Sequence, residues 1–427
     1  MFKKADWIFN TDVYEVNLRQ YTAEGTINAF AKELPRLKDM GVSTLWFMPI
    51  TPISEKHRKG GLGSQYACSD YTSVGPEYGT LEDFKTFVAT AHKMGFKVIL
   101  DWVANHTGWD HVWTVSHPAY YKMDETINDF KKASGMDDII ELDYNNPALR
   151  KAMIDAMQFW IDECDIDGFR CDLAFWVQLD FWIEARTALE KVKVLFWLAE
   201  SDPVDNPLYF QAFDACYTWT WMHRTAEFYK GSQDKGMLDD VVKQYDRMAG
   251  NDNLFLWFTS NHDENTWNGT EFEKYGDAAD ALAVFSFTWN GIPLIYSGQE
   301  LPNHKRLLFF DKDVIEWSGD FAKQDFYKTL LHLHKNNPAL RAGDRIASTH
   351  VLNTNAKDVV MCYLRRNRTD EVLTILNFSK HTIDCVIEDE QVKGIFKNVF
   401  TSAQLQIQLN DHFELQPWQY LVFEKIN

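Results

Sequence analysis

Eight short apolar runs, starting near residues 13, 44, 97, 168, 194, 213, 256 and 291, alternate with helical patterns through the first 340 residues. Runs such as Thr44-Leu45-Trp46-Phe47-Met48-Pro49-Ile50 are apolar throughout rather than alternating. A strand reads that way when both of its faces are covered, as in a parallel sheet wrapped in helices. The intervening segments carry helix punctuation. Thr80 precedes the stripe Leu81, Phe84, Phe87, Val88, Ala91 and Met94, and Gly95 follows it; Pro147 opens a pattern that runs to Cys164. A helical pattern over 26–40 contains Pro35, where a kink or restart is expected, and closes on Gly41. Eight β/α units predict an α/β fold, a closed (β/α)8 TIM barrel.

Two stretches break the alternation. Residues 104–146 are rich in His, Trp, Asp and Gly without a long period, and are expected to form a short excursion after the third strand. Beyond residue 343 the segments 359–364, 372–377, 382–387, 395–399 and 420–424 read as strands without helices, a C-terminal antiparallel β domain of the sandwich type. The expected domains are a barrel over 1–103 and 147–342, an excursion over 104–146, and a β domain over 343–427.

Composition narrows the partner. With 43 basic and 62 acidic residues the net charge is −19, which argues against nucleic acid, an anionic membrane or a strongly anionic substrate as the main partner. Neutral or cationic ligands stay open. Sixteen tryptophans are many, and Trp109, Trp113, Trp219, Trp221 and Trp267 sit in polar company. Indole faces pack against the C–H faces of sugars, so the surplus leans towards carbohydrate. The six cysteines are scattered without metal-type spacing and read as reduced, buried thiols, although Cys164 and Cys171 could in principle pair. No apolar leader or membrane-length run is present, so the reading is cytoplasmic, or periplasmic or secreted if a signal peptide has been removed.

Charged groups cluster where apolar runs end: Asp101 with Asn105 and His106, Arg170 with Asp172, Glu200, and His262 with Asp263. In a barrel of this kind the C-terminal rim is where catalytic groups converge. Arg170 and Asp172 are two apart and point to one side of the sheet, so Arg170 is expected to lower the Asp172 pKa and keep it ionised. The apolar approach Phe196-Trp197-Leu198-Ala199 suits Glu200 to hold a proton. Asp263 adds a third negative charge, and His106 and His262 are donors suited to sugar hydroxyls. One ionised and one protonated carboxyl around a glycosidic bond are the basis of glycoside hydrolysis. The rival is a metal site, but no HExxH spacing occurs, and no metal ligand is assigned.

At these positions the chain resembles the α-amylase family of glycoside hydrolases. Asp101-Trp102-Val103-Ala104-Asn105-His106, Gly168-Phe169-Arg170-Cys171-Asp172, Ala199-Glu200-Ser201 and Phe258-Thr259-Ser260-Asn261-His262-Asp263 are similar to its four motifs, in order. Glu141-Leu142-Asp143 and the run from Gly291 to Glu300 are lesser matches. The resemblance implies a retaining mechanism with Asp172 as nucleophile, Glu200 as general acid and then base, and Asp263 as transition-state stabiliser. It makes Arg170, His106 and His262 holders of the sugar, Tyr66 its stacking platform, and Asp101 a structural acid. The implied substrate is an α-1,4-linked glucan or maltooligosaccharide. Transfer or isomerisation on the same residues is the alternative, and a non-catalytic sugar-binding relative is a third reading. Phe175 and Trp176 stand where many members carry Lys-His. No cofactor is required; Asn105 matches a calcium ligand of the family, so Ca2+ is an optional partner.

Overall fold

The structure is a computed structural model that describes residues 2–249, 252–319 and 321–426. Eight parallel strands form its centre: Val13–Val16 (β1), Thr44–Phe47 (β2), Lys97–Trp102 (β3), Gly168–Cys171 (β4), Phe196–Ala199 (β5), Ala215–Tyr217 (β6), Leu254–Trp257 (β7) and Ile292–Tyr296 (β8). They pair in chain order, and β8 pairs with β1 to close the barrel. Seven of the eight are buried at every position, which is why their sequences read as unbroken apolar runs. The two-residue period is still there. Val13, Trp46, Ile99, Phe196, Leu198, Leu256 and Leu294 fill the interior, while Leu45, Val98, Phe169, Trp197 and Phe255 face the helices. Gly168 is fixed by packing, since a Cβ there would lie 2.1 Å from the carbonyl oxygen of Phe196 on the neighbouring strand.

The connectors follow their sequence signals with three departures. Thr80 and Asp83 form a capping box on Leu81–Lys93, and Asn146 caps Pro147–Cys164. The pattern over 26–40 splits into helical pieces around Pro35, and Gly41 ends the last with φ of 105°. Between β5 and β6 only the 3-10 turn Pro207–Gln211 is helical. β7 runs over 254–257, so it begins ahead of the run that starts near 256, and beyond it the Thr259 carbonyl accepts from Lys274 Nζ at 2.9 Å. Among the described residues after 343, three further strands, Ser348–Val351, Gln404–Ile407 and His412–Leu415, join those expected from the sequence. They build a six-stranded antiparallel sheet and a separate pair. Tyr363 of that sheet meets Trp289 at 4.7 Å and bonds Thr288 at 2.5 Å, seating it on the helix before β8. Within 104–146, His106–Gly108 pairs with Ile139–Glu141. No described helix is long and apolar enough to cross a membrane.

At the N-terminal rim, a buried aspartate ahead of a strand repeatedly takes the first amide of a neighbour. Asp12 accepts from Ser43, Asp167 from Val98 and Asp214 from Trp197, each at 3.0 Å. A carboxylate thus completes the hydrogen bonding where the ladder begins. Burial pushes Asp167 up, but His92, Lys193, the Val98 amide and Lys97 bring its pKa down to about 2. With the folded value below the ordinary one of about 4, its stabilisation is full at neutral pH and is lost as pH falls through about 2. Asp167→Asn is therefore expected to cost about 2 kcal/mol at pH 7, with the difference shrinking towards pH 2. Urea unfolding across that range measures it, and a variant as stable as the parent at pH 7 would contradict the assignment.

Candidate active site

The inward-facing series of four of the eight strands ends in a charged residue at the C-terminal rim. Val13 leads to Glu15, Ile99 to Asp101, Gly168 to Arg170 and on to Asp172, and Leu198 to Glu200. The ladder continues one residue past the strand ends, with Asp172 N–H donating to Trp102 O and Glu200 N–H to Cys171 O, both at 3.0 Å. The two acids therefore stand on fixed backbone.

Arg170 is fully buried among them. Its Nη1 lies 2.9 Å from Asp101 Oδ1 and 3.0 Å from Asp172 Oδ1, and its Nη2 lies 2.8 Å from Glu200 Oε2. The contact to Glu200 is an ion pair without hydrogen-bond alignment, since Nη2 has no aligned acceptor. The same Glu200 oxygen accepts the Leu173 amide at 2.8 Å. Leu173 reaches it in the left-handed region, at φ 39° and ψ 48°, which is costly for a branched side chain.

One guanidinium serves three carboxylates, and this corrects the sequence expectation for Asp172. Burial, then the charge of Glu200, push Asp172 well above the usual carboxylate range, and Arg170 opposes them without prevailing. Burial also raises Asp101, against the pull of Arg170 and His262.

A cavity of about 270 Å³ opens above the cluster. Tyr66, His106, Asp172, Glu200, His262 and Asp263 line it, while Asp101 and Arg170 are absent from its wall and act from behind. Tyr66 stacks on His262 with centroids 5.3 Å apart, and its hydroxyl meets His262 Nε2 at 2.8 Å and Asp101 Oδ2 at 3.0 Å. Burial lowers the His106 pKa to about 4, so its imidazole is neutral, and its buried Nε2 has no partner within the protein. His262 differs. Burial acts against its charge, but Asp263 and Glu15 overcome that and raise it to about 9.

Several lining residues escape the motif reading: Lys59, Asp138, Leu173, Phe309 and Phe310. So does Glu15, whose Oε1 lies 2.5 Å from His262 Nδ1. A charged residue on the inward parity of an apolar strand was its available signal. Of the five tryptophans singled out, only Trp267 lines the cavity; Trp109 and Trp221 are core.

The hollow beside Asn105 does not suit calcium. Lys131 and Lys132 line it, and its carboxylate, Glu141, is paired with Lys122 and Lys131 at 2.5 and 2.9 Å. Ammonium groups occupy the place of a cation. Among the described residues no group of three His, Cys, Asp or Glu is arranged to hold a metal.

The Glu15 contact yields a prediction. The folded His262 pKa exceeds the ordinary value of about 6.5, so its protonation favours the folded state below that pH, and the contribution is lost as pH rises through about 9. Glu15→Gln removes one charge and should bring the His262 midpoint clearly below that of the parent in an imidazole NMR titration. An unmoved midpoint would contradict the pairing.

The catalytic-domain pattern of the alpha-amylase family matches residues 7–130 and 114–343. Alpha-amylase MalA of Haloarcula japonica is 26% identical over 386 residues, 87% of this chain and 56% of that protein. The intracellular maltogenic amylase of Bacillus subtilis is 25% identical over 430 residues, 93% of this chain and 69% of that one. The chain thus spans little more than half the length of the first. A noncanonic maltogenic alpha-amylase, AmyB from Thermotoga neapolitana, superposes with a TM-score of 0.88 at 29% identity, covering 98% of this chain and 99% of that one. An alpha-amylase from Lactobacillus plantarum does so at 0.85 and 28%, with the same coverage. A pattern that runs from residue 7 to residue 343 and closes the same barrel leaves one assignment: this chain belongs to the α-amylase family.

Proposed function

We propose that the protein is a retaining glycosidase that cleaves α-1,4-glucosidic bonds of maltooligosaccharides or starch-derived glucans. The observation that carries this reading is the placement of Asp172 and Glu200 on neighbouring nitrogens of one guanidinium, at one sugar-sized cavity. Carboxylates held that way favour the separation of about 5–5.5 Å used in retention over the about 6.5–9.5 Å used in inversion. The names of the relatives support the substrate class.

In the mechanism, Glu200 gives a proton to the leaving oxygen. A bound ring brings a developing positive charge at its anomeric carbon beside Asp172, which favours the ionised form there, and a glycosidic oxygen beside Glu200, which accepts its proton. Asp172 then bonds to the anomeric carbon as the C–O bond breaks. Glu200, now a carboxylate, takes a proton from water, whose oxygen displaces Asp172 and returns its electron pair. Asp263 and the carboxylates behind the cavity stabilise the cationic character of both transition states. Charged His262 and neutral His106 are placed to hold ring hydroxyls, and Tyr66, stacked on His262 and on Phe309, forms part of the wall. No step runs through a metal.

A second reading, transfer to another sugar, has one observation in its favour. Phe175 and Trp176 are exposed on the segment leading away from Asp172, 48% and 37% accessible, and offer flat apolar faces to an acceptor. Longer oligosaccharides early in a maltoheptaose digest would report it. Six buried, unpaired cysteines suit a reducing, cytoplasmic setting.

Asp172→Asn is expected to lower kcat by at least about 10³-fold on every α-glucoside. Glu200→Gln should lose about 10²–10⁴-fold on maltooligosaccharides but far less on a maltosyl fluoride, whose leaving group needs no proton. Equal losses on both substrates would remove Glu200 from the acid role. Chelation with EDTA should leave the rate on maltoheptaose unchanged, because lysines fill the calcium-like hollow; a loss restored by Ca2+ would contradict that.

A further inference from the structure

An ion pair bridges two loops at the cavity wall. Lys59 Nζ lies 2.6 Å from Asp138 Oδ1, joining the loop after β2 to the excursion across the cavity wall. Asp138 is buried, whereas Lys59 keeps about a third of its side chain accessible. The bridge is anchored. Leu62 and Gly63 donate to Phe310 O at 3.0 and 3.1 Å, and Gly61 donates to Asp311 Oδ1 at 2.7 Å. Buried Arg19 holds Gly63 O at 2.9 Å and Phe309 O at 3.3 Å while paired with Glu77. Gly60 packs so closely that a Cβ would sit 2.5 Å from Phe310 Cβ. Trp267 meets Phe309 at 5.3 Å and Phe310 at 6.1 Å, completing the wall. Phe175 and Trp176 are exposed on the segment after Leu173.

The chemistry orients the substrate. Glu200 must face the leaving oxygen, so the aglycone lies towards the β4 and β5 loops. The ring under attack, and every sugar before it, extends the other way, over Tyr66 towards Lys59, Asp138 and Phe310. A cavity of about 270 Å³ is at the small end of ligand pockets, which run about 300–1,000 Å³. The Lys59–Asp138 pair stands across the path of any longer chain on that side.

We propose that the Lys59–Asp138 pair is an end wall on the glycone side, so that the protein works from the non-reducing ends of α-glucans and releases a short product of fixed length. Lys59 supplies ammonium donors, and Asp138 a carboxylate acceptor, for the terminal hydroxyls of the chain end. The inference rests on the function proposed above, and no group so far assigned to the chemistry sets this length.

The test compares a 4-nitrophenyl maltoheptaoside with a free non-reducing end to the same compound capped there by an ethylidene group, with substrate loss and product length read by chromatography. The parent should cleave the capped compound with kcat/KM at most about a tenth of that for the free one. Lys59→Ala should raise that ratio about tenfold or more and broaden the spread of product lengths. Asp138→Ala opens the wall from the excursion and serves if the first variant does not fold. Equal cleavage of both compounds by the parent, or a ratio unmoved in the folded variants, overturns this inference and leaves the proposed function standing. Cleavage of neither compound overturns both.

Discussion

A single buried guanidinium organises the rim of this barrel. Arg170 contacts Asp101, Asp172 and Glu200, which come from three adjacent strands. Burying a charge is costly unless it is paired, and burying several carboxylates around one cation is costly for the carboxylates. Burial therefore pushes Asp172 and Asp101 upward, against the pull of Arg170. Asp101 is off the cavity wall and holds Arg170 from behind. Asp172 and Glu200 stand at the cavity on neighbouring nitrogens of the same guanidinium.

The scaffold divides its labour along the barrel axis. At one rim, aspartates complete the hydrogen bonding of neighbouring strands, and Asp167 shows the depressed pKa of a group that stabilises the fold. At the other rim, burial pushes Asp101 and Asp172 up beside the cavity. The same residue type thus serves stability below and reaction above, and its place decides which, since burial pushes Asp12 and Asp214 of the lower rim up as well. Ladder bonds that continue past β4 and β5 transmit the rigidity of the barrel directly to the reacting groups.

Much of this was legible in the residues. Unbroken apolar runs gave the parallel strands, and charges at their ends marked the rim, because both patterns are local. The direction of the Asp172 shift was not legible. Arg170 two residues away suggests a depressed value, and only the fold reveals that Asp101 and Glu200 claim the same cation. Glu15 could have been found by parity, since it follows Val13 on the inward face, but its partner His262 lies 247 residues away. Lys59 and Asp138 carry no motif, and their meeting depends on two loops crossing the cavity. The Thr259 carbonyl takes a side-chain partner fifteen residues on, so the apolar run does not continue β7 past 257. In each case a contact between distant segments outweighed the local pattern.

The most direct test is to catch the bond to Asp172. A slow-turnover fluorinated α-glucosyl donor should leave a glycosyl group on the protein, and peptide mass spectrometry should place it on Asp172. A label on Asp101, Glu200 or Asp263 would contradict the account. So would an unlabelled protein that releases the β-anomer first.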